Sequence, residues 1–143
     1  MDQIRNFELI IDDATLSDLK ARLCATRWPD METVKDWSQG VPLSYLRQII
    51  DHWRDKYDFH RLSQQINKWP NFTTNLDGLD IHFMHIRSSN PNARPLIMTH
   101  GWPGSVVEFL RVIEPLTEPQ EFGGKSADAF HLVIPSLPGY GFS

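Results

Sequence analysis

The sequence predicts an α/β protein: a helical N-terminal region over residues 1–70 leads into the first strands of a larger sheet over residues 71–143. Three observations predict this. Apolar residues recur at helical spacing from residue 12 to residue 69. After residue 71 the period shortens to that of strands. Two short apolar runs, around 96–98 and 130–134, then flank a helix signal, which is the order of a βαβ unit.

In the helical region, Thr15 followed by Asp18 resembles a cap, with Leu16, Leu19 and Leu23 on one face. Trp28-Pro29 should stop this helix, because proline disfavours the α conformation in the residue before it. Pro42 suits a first helical turn, and Leu43, Leu46, Ile49, Ile50, Trp53 and Tyr57 trace one stripe, most simply read as core. A third helix is expected with Asp58 as cap, Phe59, Leu62, Ile66 and Trp69 facing inward, and Pro70 at its end.

The second half opens with a hairpin over residues 71–86, turned at Asp77-Gly78, a pair suited to positive φ angles. Leu96-Ile97-Met98 has the texture of a strand buried on both faces. Ser105 and Glu108 fit a capping box opening a helix with Val106, Phe109, Ile113 and Leu116 inward. The strand at 130–134 should be the parallel neighbour of the one at 96–98, joined by a right-handed crossover. A hairpin and two crossover strands leave apolar edges unpartnered. The sequence is therefore expected to be the front part of a larger protein, completed by further residues or a second polypeptide.

Composition narrows the function. Fourteen Lys and Arg against eighteen Asp and Glu give a net charge of −4 with no basic run, which argues against nucleic-acid binding. The single cysteine, Cys24, cannot form an internal disulfide and fits a reducing compartment. The polar N-terminus and the lack of a long apolar run predict no membrane anchor in this segment, and the expected location is cytoplasmic.

His100-Gly101-Trp102-Pro103-Gly104-Ser105 carries the most chemistry. Glycine permits a sharp turn, proline contributes no N–H, and the expected helix at Ser105 would aim its positive end at the same region. The Trp102 N–H is then free to face a cavity, as an oxyanion donor does. From spacing alone, a tight turn without function is equally open.

This loop, with Val106-Val107-Glu108-Phe109-Leu110 after it, resembles the HGWPGS segment of the microsomal-type epoxide hydrolases, a branch of the α/β-hydrolase fold. Residues 135–143 (PSLPGYGFS) are similar to a second family segment. Residues 19–29 (LKARLCATRWP), 36–46 (DWSQGVPLSYL), Trp53-Arg54 and 76–83 (LDGLDIHF) look like the family's N-terminal region. The departure is at 58–67 (DFHRLSQQIN), where the family carries a D-W-R-x-x-E pattern.

The resemblance implies an enzyme that adds water to a small-molecule epoxide, giving a vicinal diol through a covalent aspartyl ester, without a cofactor. It places the nucleophilic Asp, the two cap tyrosines and the catalytic His beyond residue 143, so the isolated chain is expected to be inactive. Implied here are the Trp102 N–H as oxyanion donor, His100, Gly101 and Pro103 as its support, and the rings of Trp102 and Phe142 as pocket lining. A non-catalytic interaction fragment and a serine esterase of the same fold remain alternatives, separated by the residue at the nucleophile elbow.

Other candidates are weaker. His82 and His85 match a metal pair in sequence, but odd spacing on a strand sends them to opposite faces, so no metal is expected. His52 and His60 lie in helical regions where surface or cap roles are the simpler reading, and Gly123-Gly124 and Gly139-x-Gly141 are weak phosphate-loop signals, the latter without the third glycine of a dinucleotide site. Glu108 suits a cap better than a general acid.

Overall fold

The structure, a computed structural model, describes residues 3–143. It forms two compact units, Ile10–Leu62 and a second comprising Ser63–Ser143 with the strand that precedes Ile10.

In the first unit, α1 spans Asp13–Cys24 and α2 spans Leu43–Asp55. The cap of α1 is Asp12, not Thr15: its Oδ1 accepts the Thr15 N–H at 2.6 Å, while Asp18 pairs with Arg22 at 2.7 Å along the helix. The helix ends at Cys24, before Trp28-Pro29, where the Thr26 hydroxyl donates to the Leu23 carbonyl at 2.8 Å. Pro42 is the residue before α2 rather than in its first turn, and having no N–H or side-chain acceptor to offer it leaves capping to Glu32, whose carboxylate accepts the Leu43 N–H at 2.9 Å. The apolar stripe of α2 is not core within this chain. Leu43, Leu46 and Ile50 are half-buried, but Ile49 and Trp53, and Tyr57 just past the helix, are exposed, since packing against α1 covers only part of a broad stripe. Helix α3, Phe59–Asn67, starts as expected, with Asp58 accepting the His60 and Arg61 N–H groups. Trp69 lies beyond its end.

The second unit is a five-stranded sheet. Its strands are β1 (Arg5–Phe7), β2 (Asn71–Leu76), β3 (Leu79–Ile86), β4 (Arg94–Ile97) and β5 (Phe130–Pro135), in the order β1-β2-β3-β5-β4. All neighbours are antiparallel except β4 and β5, which run parallel with Leu96 opposite Leu132. This is the pairing expected of the crossover. The hairpin turn also forms as read, with φ of 52° at Asp77 and 88° at Gly78. Strand β1 was not legible, because three polar-flanked residues carry no alternation to detect. Arg5 bonds Asp80 at 2.9 Å, and the Asn67 amide holds both backbone groups of Leu9.

Among the described residues β4 pairs with β5 alone, with Ile97 68% exposed and Pro95 where a missing N–H costs no ladder bond. One expectation fails here. The helix expected from Ser105 is broken into a 3₁₀ turn, Val106–Phe109, and a short helix α4, Ile113–Thr117. Pro115 explains the break, since within one continuous helix its ring would meet the carbonyl four residues back. In α4 it is the third residue, where no intrahelical N–H is required. The capping box does not close either. Ser105 Oγ accepts from Val107 N–H at 3.3 Å, and the Glu108 carboxylate lies over the Cα of Gly104. The unit's core joins Met84, Ile86, Leu132 and Ile134 of the sheet with Val106 and Ile113, all nearly or fully inaccessible.

Candidate functional site

The loop after β4 is built around one peptide group. Gly101 C=O accepts two hydrogen bonds, from the Gly104 N–H at 2.8 Å and from His100 Nδ1 at 3.1 Å. A carbonyl only accepts, so His100 carries its proton on Nδ1. Its Nε2 is then an acceptor, and it takes the Leu137 N–H at 3.1 Å from the loop after β5. His100 is 3% exposed, and its ring meets that of Tyr140 edge-on at 5.2 Å.

The consequence falls on Trp102. Gly101 C=O and Trp102 N–H share one planar trans peptide, so they point in opposite directions. With the oxygen tied inward by two donors, the N–H is turned outward, and it donates to no group among the described residues. The next bond, Trp102–Pro103, is cis. The Trp102 side chain is 83% exposed. The short 3₁₀ turn at Val106 replaces the longer helix dipole expected here, so what aims the donor is the pinned peptide rather than a helix end. Chemically, the arrangement leaves one backbone N–H oriented and free to donate.

The residues singled out in sequence are distributed as follows. His100, Gly101, Trp102 and Pro103 form this loop together. Phe142 lies in the loop after β5, its ring centroid 5.3 Å from Phe7 and 5.0 Å from His82. Open grooves of about 450 and 490 Å³ lie beside Lys68 and Arg111 and beside Asn6 and Pro70. Neither is lined by Trp102 or Phe142.

His82 plays a part that sequence reasoning missed. On β3 it shares the inner face with Met84 and Ile86, opposite to His85, and is fully buried. Its Nε2 lies 3.0 Å from Asn71 Oδ1 and its Nδ1 2.9 Å from Ser136 Oγ. Asn71 Nδ2 donates to the carbonyls of Ile66 and Trp69, which fixes the amide and makes Oδ1 the acceptor. His82 therefore carries its proton on Nε2 and accepts from the Ser136 hydroxyl on Nδ1. Burial alone pushes its pKa down from 6.5 to about 4, because a charged ring would lose its hydration there. The inward phase of a β-strand histidine between apolar neighbours was the available signal. Its partners, 11 and 54 positions away, were not readable.

Residues 4–109 match the family described as epoxide hydrolase N terminus. The chain belongs to that family. A protein of Stigmatella aurantiaca is 55% identical over 140 residues, covering 98% of this chain and 32% of the relative. Epoxide hydrolase 1 of Sus scrofa is 38% identical, covering 99% of this chain and 32% of its own length. Among solved structures, the juvenile hormone epoxide hydrolase of the silkworm Bombyx mori superposes with a TM-score of 0.84 at 34% identity, over 99% of this chain and 34% of that one. Aspergillus niger epoxide hydrolase gives 0.82 at 32% identity, over 98% and 36%. This epoxide hydrolase N-terminal chain thus spans about a third of the length of its relatives and carries the opening part of their α/β fold.

Proposed function

We propose that this chain supplies the oxyanion donor of an epoxide hydrolase, an enzyme that converts a small-molecule epoxide and water into a vicinal diol. In the proposed reaction a carboxylate outside this chain attacks an epoxide carbon, the ring C–O bond breaks, and a covalent ester forms. Water then adds to the ester carbonyl. The oxygen of the resulting tetrahedral intermediate becomes anionic, and the Trp102 N–H donates to it, lowering the barrier most where the charge is greatest. Collapse returns the carboxylate and frees the diol. No group in this scheme requires a cofactor. His100, Gly101 and Pro103 hold the donor, while the Trp102 and Phe142 rings border the substrate. A cytoplasmic location belongs to the same proposal and is supported by the lone Cys24.

The observation that carries the reading is the Gly101 carbonyl tied by two donors, which leaves the Trp102 N–H turned outward before any substrate arrives. Trp102→Pro in the complete hydrolase removes that N–H. It should slow ester hydrolysis by about 10²- to 10³-fold and slow ester formation less, so that the covalent intermediate accumulates. Trp102→Ala keeps the donor and should change mainly substrate binding. Single-turnover kinetics with mass detection of the ester checks both. Equal slowing of the two steps, or no trapped ester, contradicts the assignment.

A further inference from the structure

We infer that His82 is a positioning residue for the Trp102 donor, acting through Ser136, Ser143 and the loop after β5; the inference rests on the oxyanion reading of Trp102. The loop of residues 136–143 is anchored at both ends by His82: its backbone holds Ser136 and Ser143, and its buried imidazole holds the Ser136 hydroxyl. At one end, His82 C=O accepts the Ser136 N–H at 2.9 Å, and Nδ1 accepts the Ser136 hydroxyl at 2.9 Å. The His82 N–H donates to Ser143 Oγ at 2.9 Å, and that hydroxyl in turn donates to the Ser136 carbonyl at 2.9 Å. Three hydrogen bonds thus tie the loop back to one residue of β3, and a fourth closes Ser143 on Ser136.

The other anchor faces the donor. One residue past Ser136, the Leu137 N–H meets His100 Nε2, and His100 Nδ1 meets the Gly101 carbonyl whose peptide carries the Trp102 N–H. A displacement of Ser136 therefore reaches Trp102 through one backbone step, one imidazole and one planar peptide. Each link has a forced direction, because Leu137 N–H only donates and Gly101 C=O only accepts.

Three features show the His82 end is built closely. Gly141 has φ of 53°, and a Cβ there would lie 2.9 Å from Ser136 Oγ, so the loop passes the hydroxyl where a side chain would collide. Phe7 and Phe142 stand edge-on to the His82 ring at 4.8 and 5.0 Å, closing it from water. No buried side-chain polar atom among the described residues lacks a partner, so the network has no spare bond to absorb a shift.

Paired substitutions in the complete hydrolase test the inference. In His82→Asn the side-chain oxygen takes the place of Nδ1 and keeps an acceptor for Ser136. In His82→Gln the amide nitrogen takes the place of Nε2, keeping the bond to Asn71 and losing that to Ser136. We expect the Gln variant, and Ser136→Ala with it, to slow ester hydrolysis by about 10- to 100-fold, the size of a small misplacement of a catalytic group, with ester formation and KM changed less. The Asn variant should retain most of the rate although its stability falls too. Melting temperatures recorded alongside separate folding from positioning. Equal rates for Asn and Gln, or wild-type hydrolysis by Ser136→Ala, would overturn the inference. Ser143→Ala, at the accessible rim of the network, gives the same test in a variant that leaves the buried ring intact; wild-type ester hydrolysis there likewise counts against the coupling. Trp102→Pro serves as the reference: if it fails to trap ester, the oxyanion reading itself fails. If it traps ester while the Ser136 and His82 variants do not slow hydrolysis, only the positioning role fails.

Discussion

Protonation of His82 costs the folded chain more than the unfolded one, because the imidazole is sealed between Phe7, Phe142 and Asn71 with no counter-charge in reach. The sign follows from linkage. With a folded pKa near 4 and an unfolded value of 6.5, the unfolded state binds the proton more readily between them. Stability from this group is complete above pH 6.5, is lost as pH falls towards 4, and changes little below. The displacement amounts to roughly 3 kcal/mol. Urea titrations from pH 7 to pH 4 should show this loss, and His82→Asn should flatten it; a wild-type profile that stays level contradicts neutral burial. The two histidines should also carry opposite tautomers, His82 protonated on Nε2 and His100 on Nδ1, distinguishable by imidazole nitrogen shifts in NMR. Asn71→Leu leaves the His82 Nε2–H and the Trp69 carbonyl without partners, while the Ile66 carbonyl keeps the Trp69 N–H, and should cost about 2–4 kcal/mol.

Among the elements, β5 is central because it bonds both the antiparallel β3 and the parallel β4, while α4 lies against it. Ile113, fully buried in α4, is therefore a sensitive reporter of that packing. Ile113→Ala in the complete hydrolase should lower unfolding stability by about 2–4 kcal/mol, read from the denaturation midpoint with an unchanged slope. The hairpin offers a contrast. Gly78 has open space around a Cβ but a φ of 88°, so Gly78→Ala meets no clash and bears only the left-handed backbone cost, about 1–2 kcal/mol. A larger loss there would mean that the hairpin register, not the turn alone, had changed.

For the whole molecule, apolar surface is distributed unevenly. Ile97 on the edge strand, Trp37, Trp102 and Tyr45 are exposed, and β4 presents one unpaired side. Residues 1–143 alone should self-associate at micromolar to millimolar concentration, and Ile97→Lys should reduce this by placing a charge on the open edge. Sedimentation velocity over a dilution series checks it. A monodisperse, cooperatively unfolding monomer contradicts the prediction.

Local chemistry was enough for the sequence to determine the α/β class, the helical region, the Asp77-Gly78 hairpin and the order of the crossover, because periodicity, turn residues and proline act over a few positions. The same locality made the loop from His100 to Pro103 conspicuous. Helix ends shifted where a nearby competitor won: Asp12 over Thr15 as a cap, and Pro115 against a continuous helix. The tertiary structure alone decided what aims Trp102. The two bonds on the Gly101 carbonyl are local, but the bond that orients His100 comes from Leu137, 37 positions away, and His82 is held by Asn71 and Ser136 on two other segments. Hydrogen bonds between distant segments depend on strand order and register, and these leave no mark on the spacing of residues along the chain.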